Sequence, residues 1–451
     1  MAAAAAASST SSSQPFLYLL LRSLLLLVAA RLSSASLKLP LHHTLTLSPT
    51  YPQRPATVVS PVVSGASAGT GQYFVTLHLG SPPQPLHLVV DTGSDLIWAR
   101  CSSSSNSSSS SPVDPLRPFH PLLSSSFCPL HCYDPLCRLV PRVPHFPCHR
   151  HTRIHSACRY NYTYGDGSFS SGIFASDITT VNTTRNGLAK LPLLHFGCAF
   201  HSSGPSVSGP AFHGAQGVLG LGRGPISFST QLHRRFGNKF SYCLMDFTLS
   251  PPPTSFLIIG NHPSKNSTMA FTKLIANPAL PTFYYVNVTS VSVDGVKLHI
   301  DPSVWALDET GSGGTVVDSG TTLTLIIEPA YSAILAAMRR RLELPEASPS
   351  GQVPFDLCVN VTGVRRPRLP RLRFGMEGEG WMRRKATFSP PARNYFIDTE
   401  EGVKCLGIQP VGDGGGAFSV IGNVMQQGYL WEFDNDRSRL GFTRRGCAVS
   451  P

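Results

Sequence analysis

Two aspartates in this chain stand in nearly the same company. Asp91 closes the run Leu88-Val89-Val90 and precedes Thr92-Gly93-Ser94, while Asp318 closes Thr315-Val316-Val317 and precedes Ser319-Gly320-Thr321. In each copy the apolar, β-branched run reads as a buried strand, and the Asp, hydroxyl residue and Gly read as a sharp turn at its end. Each turn offers one carboxylate. Two carboxyls held within about 3 Å repel by roughly 5 kcal/mol at an effective dielectric near 20, so one of them stays protonated well into the acid range. The pair then holds one proton between them. Its charged member can take a proton from water while its neutral member donates a hydrogen bond to a peptide carbonyl, the arrangement that amide hydrolysis needs. Gly93 and Gly320 let backbone N–H groups approach the carboxylates, and Ser94 and Thr321 can hydrogen-bond their outer oxygens. Either turn alone is ordinarily only a turn; the paired occurrence after strands points to catalysis.

The elements that must hold these turns are legible around them. Residues 72–80 alternate like a strand, Ser81-Pro82-Pro83 turns, and Leu86 to Val90 returns, so a hairpin delivers Asp91. Alternating tyrosines at 160, 162 and 164 run into Gly165-Asp166-Gly167, a second hairpin with its tip at the glycines. Gly217-Val218-Leu219-Gly220 follows the first Asp turn and Phe418-Ser419-Val420-Ile421-Gly422 the second. In each, an apolar pair ends in Gly, which lets backbone pass close to the Asp loop of its own half. A helix begins at Glu328-Pro329-Ala330, with Tyr331, Ile334, Leu335, Met338 and Leu342 on its apolar face.

Length and composition set the frame. A chain of 451 residues can bury a large core in two to three domains, and 41% apolar residues with 39 Gly and 39 Pro describe a globular, turn-rich and β-rich protein. Only 14% of residues are charged, which leans toward secretion. Residues 16–30 form an apolar run of signal-peptide length with a cleavage site at Ser33-Ser34-Ala35; Arg22 interrupts it, and a plastid transit peptide is the competing reading. No other run reaches the length of a membrane span. Residues 36–70, rich in Pro, Ser and Thr, read as a pro-segment or linker with ordered structure starting at Gly71, and the serine run at 102–111 reads as a solvated loop.

Eleven cysteines, five of them crowded into residues 128–158 without paired CxxC units, favour a disulfide framework over a zinc site. Sequons at Asn106, Asn161, Asn182, Asn266, Asn287 and Asn360 suit the same oxidising compartment. The sixteen histidines show no ligand spacing, so neither a metal nor a cofactor is expected. Basic residues outnumber acidic ones 37 to 25, with clusters at Arg339-Arg340-Arg341, Arg365-Arg366-Pro367-Arg368 and Arg383-Arg384-Lys385. They are broken by Pro and Leu and carry no interleaved aromatics, which argues against nucleic acid and for solvated faces or weak attraction to acidic polymers.

Taken together, the chain resembles the pepsin-like aspartic proteases, and more closely their plant nepenthesin-like or nucellin-like branch. The resemblance spans about residues 71 to 447 and rests on the two Asp turns and on the paired Val218-Leu219-Gly220 and Val420-Ile421-Gly422. Tyr164 matches the family's flap tyrosine, with cross-strand packing as its bland alternative, and Trp98 the residue that orients it. The resemblance implies an all-β, bilobal fold: two pseudo-symmetric β lobes, at 71–262 (with a Cys-rich insert at about 101–158) and 263–451, and a catalytic cleft between them. It also implies a metal-free acid endopeptidase, monomeric, acting on polypeptides and inhibited by pepstatin-type compounds. By analogy it pairs Cys132 with Cys158, Cys137 with Cys148, Cys243 with Cys447 and Cys358 with Cys405. One further bond is expected among Cys101, Cys128 and Cys198, with Cys128 as the preferred replacement for a cysteine missing after Trp98. Two functions remain open, an active endopeptidase or a binding or inhibitor protein on the same scaffold. Secretion to the cell exterior is the expected location, with vacuole or plastid as alternatives.

Overall fold

A computed structural model describes residues 36–43, 71–102, 117–143, 148, 156–182, 188–208, 212, 215–246, 255–260, 269–349, 355–379, 386–411, 418–444 and 447. The leader, Asn106, Asn266 and the third basic cluster lie outside the described residues.

The fold is all-β, as expected. Strands Tyr73–Leu79 and Gln84–Asp91 form the antiparallel hairpin that carries the first Asp turn. Beside it the strand Gly217–Gly220 runs parallel, with Gly217 opposite Leu88 and Gly220 opposite Asp91, and it also pairs antiparallel with Trp98–Arg100. The chain therefore goes out along one flank of the Gly-ended strand, turns at Asp91 and comes back along the other. The second half repeats this: Thr315–Val317 runs parallel to Ser419–Ile421, and Leu325 of Thr324–Ile326 lies opposite Val420 on the other flank. Gly220 and Gly422 are where backbone crosses backbone: a Cβ would stand 2.5 Å from the Asp95 carbonyl carbon in one case and 2.4 Å from the Leu323 oxygen in the other.

The halves are joined by a shared antiparallel sheet. Lys239–Cys243 pairs with Leu430–Asp434, and the sheet continues through Ser255–Gly260 on one side and Arg439–Thr443 and Ala270–Ile275 on the other. Phe240 and Phe433 stack at 4.7 Å across this join, with Tyr284 edge-on to Phe433 at 4.6 Å. The helix Ala330–Arg339 buries Tyr331, Ile334 and Met338 as its periodicity requires, and no helix of the described residues is long and apolar enough to cross a membrane.

Order does not begin at Gly71. Ser36–His43 is a strand inside the shared sheet, from Ser36 opposite Gly260 to Leu41 opposite Ser255, with His43 reaching Tyr73 on the other side. Its period-two pattern of Leu37, Leu39 and Leu41 was hidden by Pro40 and by the Pro- and Ser-rich sequence that follows, which argue against a strand.

Five disulfides close the fold: Cys101–Cys198, Cys132–Cys148, Cys137–Cys158, Cys243–Cys447 and Cys358–Cys405. Within the insert the two partners are exchanged relative to the analogy. The Asp134 side chain accepts from Leu136 N–H and starts a short 3-10 turn, Pro135–Arg138, that carries Cys137 into the core beside the fully buried Cys158. Cys132 is left to meet Cys148 outside it. Cys101 bonds Cys198, because Trp98–Arg100 lies parallel to Leu194–Ser203 with Ala99 opposite Cys198, and Cys128 is free and exposed. Among the described residues one cluster has metal-type side chains, His131 with Cys132 and Cys148, and both its sulfurs are in a disulfide. Alkylation of the unreduced, denatured protein should therefore label one thiol, found on the Cys128 peptide by mass spectrometry. Two or more labels, or none, would contradict this connectivity.

Candidate active site

Four hydroxyl and main-chain groups lock the two Asp turns to each other. Thr92 N–H donates to Ser319 Oγ at 3.1 Å and Ser319 N–H donates to Thr92 Oγ1 at 2.9 Å. Each hydroxyl then reaches the strand of the opposite half, Ser319 Oγ donating to Val90 O at 2.8 Å and Thr92 Oγ1 to Val317 O at 3.3 Å. The residue after each Asp thus works across the join rather than on its own carboxylate, a role the sequence did not specify.

The carboxylates meet on top of this lock. Gly93 N–H donates to Asp91 Oδ1 at 2.8 Å and Gly320 N–H to Asp318 Oδ1 at 2.9 Å. The outer oxygens accept from Ser94 Oγ and, at 2.6 Å, from Thr321 Oγ1. Each glycine backs onto the opposite acid: a Cβ on Gly93 would lie 2.8 Å from Asp318 Oδ2, and one on Gly320 2.2 Å from Asp91 Oδ1. Both aspartates are buried. Burial first, then the charge of Asp318, and a hydrogen bond between the two carboxyls raise Asp91 well above the usual carboxylate range, against the pull of Ser94 and Gly93. The site can hold one proton on a carboxyl facing a carboxylate, ready for acid–base work on a water and a carbonyl.

Further residues hold the loops, and the sequence did not single them out. Gln426 Nε2 donates to Asp318 O at 2.9 Å and Ile421 O at 2.7 Å, and Asn423 Nδ2 donates to Ser319 O at 3.0 Å, so two buried amides fix the second turn from below. Their signal was polar side chains inside the apolar run after Gly422. In the first half Asp95 accepts from Gly224 N–H at 2.8 Å and from Thr282 Oγ1 at 2.7 Å, tying the loop to the start of the second half.

Tyr164 stands at the end of the strand Arg159–Thr163, paired with Phe169–Asp177. Trp98 Nε1 donates to its phenol oxygen at 2.7 Å, and Tyr162 packs edge-on at 5.3 Å. Burial, then the Asp91 charge, push the phenol's pKa far up, and beside it the Tyr162 phenol oxygen accepts from Asp95 N–H at 3.3 Å, in the loop that follows the first Asp turn. Trp98 is itself fully buried and stacked on Phe212. The carboxylate of Asp166, at the exposed tip, does not face the cleft as a free group. It accepts from Ser168 N–H at 2.9 Å, Ser168 Oγ at 2.8 Å and Ser206 Oγ at 2.6 Å, which latches the tip to the short helix Pro205–Ser208. Burial works against its charge, but these hydrogen bonds, Ser206 foremost, hold its pKa below the usual range.

Tyr164 also packs against the core cluster around Trp98 and Tyr160, so removal of the whole ring would cost stability as well as closure. Tyr164→Phe separates the two. It removes the Trp98 hydrogen bond, worth about 1 kcal/mol, and should lower kcat/KM by about three- to tenfold with little change in Tm. Tyr164→Ala should lower kcat/KM by about ten- to a hundredfold. Steady-state kinetics beside thermal melts check both; full activity in both variants would leave the ring as packing alone.

Of the sequons, Asn161 and Asn360 are exposed, Asn182 ends the strand Thr179–Asn182, and Asn287 Nδ2 donates to Glu377 Oε2 at 3.1 Å.

Residues 73–261 match the family model "Xylanase inhibitor N-terminal" and residues 283–444 match "Xylanase inhibitor C-terminal". The chain is 36% identical over 402 residues to Aspartyl protease family protein 2 of Arabidopsis thaliana, covering 88% of this chain and 76% of that protein. It is 34% identical over 395 residues to Aspartic proteinase nepenthesin-1 of Nepenthes gracilis, covering 87% and 82%. Among solved structures it is similar to edgp, with a TM-score of 0.68 at 20% identity over 91% of this chain and 95% of that one. Basic 7S globulin from soybean follows at 0.63 and 20%, over 90% and 96%. With both Asp turns locked together, a Gly-ended strand beside each and the tyrosine hairpin tied to Trp98, and with these relatives along most of its length, the chain belongs to the plant, nepenthesin-like branch of the pepsin-like aspartic proteases.

Proposed function

We propose that this protein is an endopeptidase that cleaves polypeptides by activating water between Asp91 and Asp318. The observation that carries the reading is the reciprocal lock through Thr92 and Ser319, which fixes two buried carboxyls, one raised, in a single hydrogen-bonded pair. Asp318 takes a proton from the attacking water, whose oxygen bonds to the carbonyl carbon, while Asp91 gives its proton to the carbonyl oxygen. Collapse of the resulting diol breaks the C–N bond: Asp318 gives the water's proton to the leaving amine while Asp91 takes a proton from one of the diol hydroxyls, which restores the starting dyad. The substrate would lie extended beneath the hairpin at Tyr164, which excludes water as it closes. We further propose a monomer, made as a zymogen with residues 36–70 as pro-segment, secreted and glycosylated. The five disulfides favour the secretory route.

The name of the matching family models supports a second reading, a binding protein that inhibits a glycosidase without cleaving anything. Incubating the purified protein with a denatured protein substrate from acid to neutral pH, with and without pepstatin, separates them. Pepstatin-sensitive cleavage supports the first; no cleavage at any pH, with binding of a xylanase, supports the second.

A further inference from the structure

The basic runs noted in the sequence are not needed by the cleft, and two of them converge. The helix Ala330–Arg339 runs out into Arg340 and Arg341, and a helix C-terminus accounts for cations there, since it carries partial negative charge. Arg339 is answered locally by Asp356 O and by Glu346 at 3.8 Å. The helix end does not account for the second run, which has no helix of its own yet is folded against the same place. Arg368 and Arg371 join Arg340 and Arg341 around an open cavity of about 670 Å³, with Asp294 and Glu343 as its carboxylates. Of the four arginines, Arg371 lies 3.6 Å from Asp294, which also accepts from Arg371 N–H at 2.9 Å, and Arg341 donates to Ala337 O at 3.2 Å, so Arg340 and Arg368 share the rest of the cavity with Glu343. Like charges gathered around one cavity repel each other, and an anion bound among them would relieve that repulsion.

We infer that this cavity is a binding site for an acidic polysaccharide, a polyuronate whose regularly spaced carboxylates pair with Arg340, Arg368 and their neighbours. Guanidinium forks match carboxylates in two parallel hydrogen bonds, which favours arginine over lysine at such a site. The cavity is open, and exposed Arg365 and Arg366 precede Arg368 in the same run of the chain, which suits an extended polymer rather than one small anion. Its apolar lining is Leu369 and Pro370, with no aromatic ring on which a base could stack, which disfavours a nucleic acid. The site would hold the protein on an acidic matrix while leaving the cleft free.

The test is direct binding of polygalacturonate, in low and in raised salt, to the wild-type chain and to an Arg340→Gln, Arg368→Gln double variant. Both residues are exposed, so the variant should melt with the wild type. Expected are salt-sensitive binding, an affinity at least about tenfold weaker in the variant, weak binding of methyl-esterified pectin, and unchanged peptide cleavage. Equal affinity in wild type and variant would overturn the site. Methyl-esterified pectin binding as tightly as polygalacturonate, or single-stranded DNA binding as tightly through the same arginines, would overturn the ligand class. Because binding is read without catalysis, the result stands apart from whether Asp91 and Asp318 hydrolyse peptides.

Discussion

Asp91→Asn and Asp318→Asn should each lower kcat/KM by about a thousandfold or more, the scale of losing both the acid and the base partner of one proton transfer. Neither change should unfold the chain, because the lock between the turns runs mainly through Thr92, Ser319 and main-chain groups, and its one contact to a carboxyl, Thr92 Oγ1 to Asp318 Oδ1 at 3.3 Å, can also be made to the side-chain oxygen of Asn. The pair should behave as one unit, so that the double variant is scarcely worse than either single one. Kinetics on a denatured protein substrate, beside melting curves, check this. Near-normal activity in either single variant would sink the dyad. In contrast, a glycosidase inhibitor would bind its target equally well in all of these variants.

Activity should peak in acid and fall about tenfold per pH unit once pH exceeds the raised value of Asp91, because the shared proton is then lost. Chelators should leave the profile unchanged. Stability should follow a related course. Asp91 binds its proton more tightly in the folded chain than in the unfolded one, where an aspartate titrates near about 3.9. The resulting stabilisation is fully present below that value and is lost as pH rises through the raised folded value. Asp91→Asn should abolish this fall, so its Tm should gain on the wild type between acid and neutral pH. A Tm difference that does not vary with pH would mean that Asp91 is not held protonated by its surroundings.

What was legible in the sequence is what the fold duplicates. The Asp turns and the two Gly-ended strands each combine a strand pattern with a residue that only a tight turn or a close crossing requires, and their repetition excludes accident; the tyrosine hairpin, present once, was legible from its alternation and its glycine tip. Connectivity was less legible: Cys132, Cys137, Cys148 and Cys158 are compatible with several pairings, and it is the inward turn begun at Asp134 that selects one. Asn423, Gln426 and Asp95 act through contacts from distant parts of the chain, as does the meeting of two arginine runs around one cavity, and no local pattern announces such partners.

The strand Ser36–His43 has a consequence for anyone producing the protein. It is an interior member of its sheet, bonded to Ser255–Gly260 along six residue pairs and to Tyr73–Leu79 along three. A recombinant chain begun at Gly71 would leave both neighbours with bare rows of N–H and C=O groups, templates for a strand from another molecule. Such a chain would be prone to inclusion bodies and to swapped oligomers during refolding, whereas the same chain supplied with a peptide of residues 36–43 could cover both rows.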